Sequence, residues 1–172
     1  MPPIRAPSVA PGFFSGSGVY RAQVFATDNA GNVENPSDSK PFLYDVSAPA
    51  LLSNTPNDAS INKDAVSQIS LVITDDFGVD TGTNKLLVTM YYDVGDTENI
   101  VAADPNDITV ALNSPTYTGT TTSVTATLTL KKALLTNGSQ DGAYVVTVQM
   151  QDLGGTQSTD SFAFKYDVTK PI

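Results

Sequence analysis

The sequence contains no cysteine, no histidine and no tryptophan. Without cysteine there is no disulfide and no thiol nucleophile. Without histidine the commonest general base at neutral pH is missing as well. Cationic residues are scarce: nine Lys and Arg stand against eighteen Asp and Glu, a formal charge of −9. That balance argues against nucleic acid as a partner, because affinity for phosphate backbones comes from basic side chains. It also argues against an anionic membrane surface. No apolar run approaches the roughly 18 residues that a membrane-spanning helix needs. The first residues, Met1-Pro2-Pro3-Ile4, have neither the basic region nor the apolar core of a secretory signal. The start reads as a cut inside a longer protein. Good helix formers are few, while Thr, Val, Gly, Asn and Asp are plentiful. This is the composition of an all-β chain.

What is present is said twice. Gly18–Asn32 (GVYRAQVFATDNAGN) is followed by FLYDVSAP at 42–49, and Gly142–Thr156 (GAYVVTVQMQDLGGT) by FKYDVTKP at 164–171. Gly18, Tyr20, Asp28 and Gly31 map to Gly142, Tyr144, Asp152 and Gly155, each 124 positions on (142 − 18). The YDV of 44–46 returns at 166–168, 122 positions on, so the second loop is expected to be two residues shorter. Similarity at a fixed period signals a tandem array, and this period is an ordinary domain size. The expected organisation is an N-terminal arm and the closing hairpin of a preceding repeat over 1–48, then one complete domain over 49–172.

Residues 1–17 carry four prolines and read as an extended arm. Val19–Thr27 alternates, with Tyr20, Ala22, Val24 and Ala26 on one face, as a half-buried strand does. Asp28–Ser39 is turn-rich, and Pro41–Val46 is the return strand. Ser47-Ala48-Pro49 makes a short, stiff junction. In the full domain, strands are expected at 50–53, 66–74, 85–92, 108–112, 124–130, 143–151 and 161–168, with a short edge strand at 99–102. Ile69, Leu71 and Ile73 face one way, and Val124, Ala126, Leu128 and Leu130 alternate with threonines. Lys131–Thr136 has the composition of one helical turn. About seven strands with turns between them predict an immunoglobulin-like β-sandwich.

The closing block, KKALLTNGSQDGAYVVTVQMQDLGGTQSTDSFAFKYDVTKP, resembles the last third of bacterial immunoglobulin-like (Big-type) repeats. These run L-x-x-G-x-Y-x-V-x-V, then D-x-x-G-N, then a strand ending in D-x-x-x-P. SNTPNDASINKDAVSQISLVITDDFGVD resembles their opening, with a Pro-Asx turn before the first core strand. Asp28–Asn32 fits the loop motif fully, whereas Thr156 replaces the Asn in the second copy. The resemblance implies a sandwich domain of a secreted or cell-surface bacterial protein. Independently of it, Tyr144 stands where sandwich domains place a corner tyrosine, whose hydroxyl anchors on upstream backbone.

Carboxylates are the remaining candidates for chemistry. Asp75/Asp76, Asp93/Asp96/Glu98 and Asp104/Asp107 all sit among turn residues, where Asp is the default, so no enzyme is expected. A metal site is the sharper expectation. Hard cations take several oxygen ligands from loops, and sandwich topology brings the loop after the second core strand to the same end as the closing hairpin. Asp45 in the linker is therefore expected to face Asp75, Asp76 and Asp80, with Asp152 adjacent, around calcium. The residues Thr116–Leu130 form a threonine array of one strand and one loop. The expected function is that of a structural spacer module in a cell-surface or secreted protein, an adhesin-like stalk with calcium-stiffened joints. Its partners would be neighbouring repeats of the same protein and a host or matrix protein or glycan. The alternative is a carbohydrate- or protein-binding accessory module of a secreted hydrolase, with Tyr91, Tyr92 and Tyr117 as its aromatic platform.

Overall fold

The computed structural model describes residues 14–24, 26–34, 37–38, 40–93 and 108–170. The arm over 1–13, the expected edge strand at 99–102 and the acids Asp96, Glu98, Asp104 and Asp107 lie outside them. All regular structure among the described residues is strand, and no helix there is long and apolar enough to cross a membrane. The chain divides into two units, Met1–Ser47 and Ala48–Ile172.

The first unit holds β1 (Gly18–Tyr20), β2 (Gln23–Val24), β3 (Ser37–Asp38) and β4 (Phe42–Tyr44). β1 pairs with β4 through Gly18↔Tyr44 and Tyr20↔Phe42, and β2 pairs with β3 through Gln23↔Asp38. Phe14 packs on Tyr20 and Tyr44 with ring centroids 4.5 and 5.0 Å apart. The single strand expected over 19–27 is thus broken in two.

The second unit is an immunoglobulin-like β-sandwich whose described residues form nine strands: β5 (Ala50–Thr55), β6 (Ile61–Asn62), β7 (Gln68–Thr74), β8 (Leu86–Asp93), β9 (Ile108–Val110), β10 (Thr116–Thr120), β11 (Ser123–Thr129), β12 (Gly142–Gln151) and β13 (Gln157–Tyr166). One sheet has the order β10-β11-β7-β5 and the other β6-β13-β12-β8-β9. The inner faces follow period-2 alternation. Ile69, Leu71, Ile73, Val124, Ala126 and Leu128 pack against Met90, Tyr144, Val146, Val148, Phe162, Phe164 and Tyr166 in one buried cluster. A bulge between Leu51 and Ser53 turns Leu52 outward, where it is exposed.

In the second unit β6 and β10 were not expected, as β3 was not in the first. β6 runs parallel to the end of β13, Lys165↔Ile61 and Tyr166↔Asn62. The loop before it continues that pairing, with Ala59 N–H donating to Ala163 O (2.7 Å) and Lys165 N–H to Ser60 O (2.8 Å). β10 occupies what reads as a loop in the sequence. The helical turn expected at Lys131–Thr136 does not form. The N–H groups of Leu130, Lys131 and Leu134 donate instead to the carbonyls of Ser67, Ala111 and Val66. Burying Leu130 and Leu134 in the core overrides local propensity.

The duplicated hairpin keeps its register. Gly18↔Tyr44 and Tyr20↔Phe42 have as counterparts Gly142↔Tyr166 and Tyr144↔Phe164. The tip corresponds as well, Thr27↔Val33 matching Gln151↔Gln157, both shifted by 124. The two extra residues of the first copy therefore lie on its return side, between Val33 and Phe42, not in the tip turn. From Gly18↔Tyr44 to Gln23↔Asp38 and again to Thr27↔Val33 the register slips by one residue, and each slip flips the side-chain alternation, so the first copy is two short ladders and a bridge where the second has one continuous ladder.

Candidate functional site

The corner tyrosine is present in both copies. The Tyr144 hydroxyl donates to Gln140 O (2.9 Å) and the Tyr20 hydroxyl to Gly16 O (2.7 Å). The Tyr144 ring is buried and stacks on Phe164, with centroids 5.4 Å apart and planes 11° apart. Burial, and then the neighbouring Tyr92, Tyr166 and Asp141, push its hydroxyl up to about 12. This role is structural.

Of the expected metal ligands, Asp45 belongs to the first unit and Asp75, Asp76, Asp80 and Asp152 to the second. In the first unit, Asp45 accepts through Oδ1 from Ser17 Oγ (2.9 Å) and from Ser47 N–H (3.0 Å). In the second, Asp76 is exposed to solvent. Asp80 caps its own turn, accepting from Gly82 N–H (2.8 Å), and its other oxygen stands 4.0 Å from Lys85 Nζ. Asp80 therefore has a cationic side chain beside it.

Asp75 and Asp152 are different. Both are buried, with 8% and 0% of their surface exposed, and they are the buried charged side chains among the described residues. Asp75 follows β7 and Asp152 follows β12, two strands in opposite sheets. The loop between Asp75 and Asp80 binds them together. Val79 bridges to Asp152, Leu153 N–H donates to Gly78 O (2.8 Å), and Asp80 N–H donates to Gln151 O (2.9 Å). Carboxylate oxygens of the two residues lie within 4.8 Å of each other. Asp75 Oδ1 accepts from the N–H groups of Phe77 (2.9 Å) and Gly78 (2.7 Å), and Asp152 Oδ1 from Thr156 N–H (2.8 Å). The second oxygen of each, Oδ2, is buried and has no hydrogen-bond partner among the described residues. Two negative charges at that separation repel by on the order of 3 kcal/mol at an effective dielectric of about 20. Buried polar groups are normally satisfied, and an orphaned one calls for a partner such as an ion.

The tyrosines and the threonine array are structural. Tyr92 packs on Tyr144 (5.2 Å) and its hydroxyl donates to Asp141 O (3.1 Å), while Tyr117 packs against the core. Tyr91 neighbours both Tyr92 and Met90 along β8 and points away from the core. The three tyrosines do not share a face, so there is no aromatic platform. The threonine array is two paired strands rather than a strand and a loop, with Thr116 opposite Thr127 and Thr118 opposite Thr125. Such cross-strand pairs are ordinary sheet stabilisation.

No protein-family model matches the chain, and no curated protein matches it. Solved structures similar to it include PcoC, a methionine-rich copper resistance protein from Escherichia coli, with 15% identity, coverage of 70% of this chain and 100% of that one, and a TM-score of 0.49. CopC from Methylosinus trichosporium OB3b follows at 14% identity, 72% and 98% coverage and a TM-score of 0.48. Murine CRIg has 13% identity, 72% and 100% coverage and a TM-score of 0.39. Copper-resistance proteins are thus among the solved structures that share its fold. The expectations of a structural spacer in a tandem array, of adhesion, of an accessory module and of calcium as the cofactor find no support in any of these comparisons and do not stand. The Big-type family is not found either; what stands is the immunoglobulin-like sandwich. Likeness of this degree carries no function across. The donor set does not suit copper: the chain has no histidine or cysteine, Met90 and Met150 are buried in the core, and Met1 lies outside the described residues.

Proposed function

We propose that this chain is a non-enzymatic immunoglobulin-like domain, working outside the cytoplasm, whose functional locus is the carboxylate pair Asp75–Asp152. The observation that carries the reading is the pair of buried, facing carboxylates, each with one oxygen committed to backbone and one left open. Oxygen-only donors on loops suit a hard divalent cation. An enzyme is disfavoured because histidine and cysteine are absent and the turn acids Asp75 and Asp80 already spend an oxygen on capping their own loops. The absence of cysteine and the acidic surface are compatible with an exported chain.

The test is titration with manganese(II), followed by calorimetry and by thermal melting. One saturable site and a higher melting temperature are expected, and both are lost in Asp152→Asn and Asp75→Asn variants whose circular dichroism is unchanged. The absence of both binding heat and a melting shift in the unaltered chain would remove the cation reading.

A further inference from the structure

The two hairpin tips offer a comparison within one molecule. In the first copy Asp28 N–H donates to Asn32 O (3.0 Å), Gly31 N–H to Asp28 O (3.0 Å), and Asn32 N–H to Asp28 Oδ1 (2.9 Å). In the second, Asp152 N–H donates to Thr156 O (3.0 Å), Gly155 N–H to Asp152 O (3.2 Å), and Thr156 N–H to Asp152 Oδ1 (2.8 Å). Both glycines sit in the left-handed region, at φ +88° and +96°. The backbone of the two turns matches; Asp28 is exposed and takes a further bond at Oδ1 from Ala30 N–H (2.9 Å), Asp152 is buried, and the second carboxylate oxygens differ in partner. Asp28 Oδ2 accepts from Asn32 Nδ2 at 2.8 Å, so that carboxylate is closed by its own loop. Threonine has no amide to offer, and Asp152 Oδ2 has no partner among the described residues.

We propose that Thr156 is the residue that opens the site: by withholding the amide that closes Asp28, it leaves Asp152 Oδ2 free to bind a hard divalent cation together with Asp75. The inference rests on the reading of Asp75 and Asp152 as a cation site. It adds a specificity rule, that a turn of this form binds when its fifth residue lacks a side-chain amide. The change is small in volume and the backbone of the turn is already compatible with asparagine, as the first copy demonstrates. Thr156→Asn should therefore fold, and the new amide should satisfy Asp152 Oδ2 in place of the cation. Thr156→Ala is the control, because it keeps the backbone donor to Oδ1 and adds no amide.

The experiment measures manganese(II) affinity and metal-free melting temperature for the unaltered chain, T156N and T156A. The expected result is binding by the unaltered chain and T156A and affinity weakened about tenfold or more in T156N, with T156N melting higher without metal. If the unaltered chain and T156N bind equally, the gating role of Thr156 is wrong and the carboxylate site stands. If the unaltered chain does not bind at all, the cation reading fails. In that case the metal-free melt still decides whether position 156 controls the carboxylate: a rise in T156N supports closure by the amide, and no rise overturns it.

Discussion

Replacing Tyr144 by phenylalanine removes one oxygen and leaves the ring. The ring stays between Phe164 at 5.4 Å and Tyr92 at 5.2 Å, so the area it buries is nearly unchanged. What is lost is the 2.9 Å hydrogen bond to Gln140 O. An unsatisfied buried acceptor costs about 1–3 kcal/mol. Gln140 is only half-buried, so water reaches its carbonyl in part, and the lower end, about 1.5 kcal/mol, is expected. For a unit of this size that is roughly 4–6 °C in melting temperature. Urea unfolding should show a lower midpoint at an unchanged slope, because the exposed surface on unfolding is the same. A loss under about 0.5 kcal/mol would refute the reasoning, since it lies below the usual net worth of one hydrogen bond. The corner would then be held by ring packing alone.

The same hydroxyl predicts a pH dependence. In the folded chain it keeps its proton to about 12, and in the unfolded chain it releases it near the ordinary tyrosine value of 10.0. Stability from this group is therefore full below about pH 10 and is lost as pH rises toward about 12; denaturant midpoints across that window should fall less steeply in Y144F. Gly119 sits at φ +105°, where an added Cβ would press on the carbonyl oxygen of Ser123. Gly119→Ala should destabilise the β10–β11 hairpin by more than about 1 kcal/mol, seen as faster proteolytic cleavage between Thr116 and Thr129.

The core was legible from periodicity. Ile69, Leu71 and Ile73, and Val124, Ala126, Leu128 and Leu130, alternate in the sequence and are all buried in the structure. β6 was not legible, because two residues in a polar loop pair through backbone alone and leave no side-chain pattern. β10 was hidden by its threonines and by Gly119, which read as loop chemistry although strands favour threonine too. For the site, turn spacing pointed to Asp75 and Asp152 but could not rank them above Asp76 and Asp80. That ranking depends on which oxygens the backbone already occupies and on Lys85 beside Asp80, neither of which spacing encodes. The Thr156 difference was visible as a departure from the DNAGN motif. Its meaning needed the Asn32 amide to be seen on Asp28.

The loop from Asp58 to Asn62 has a further consequence. It lies along the outer side of β13, with Asp58 Oδ1 accepting from Ala163 N–H and Asp167 N–H donating to Asn62 O. The segment it covers, SFAFKY at 161–166, has the short aromatic, uncharged-to-weakly-charged character of a self-associating strand. A few polar residues folded against it take up the donors and acceptors that another chain would otherwise seek, so the molecule carries its own guard against sticking to its copies.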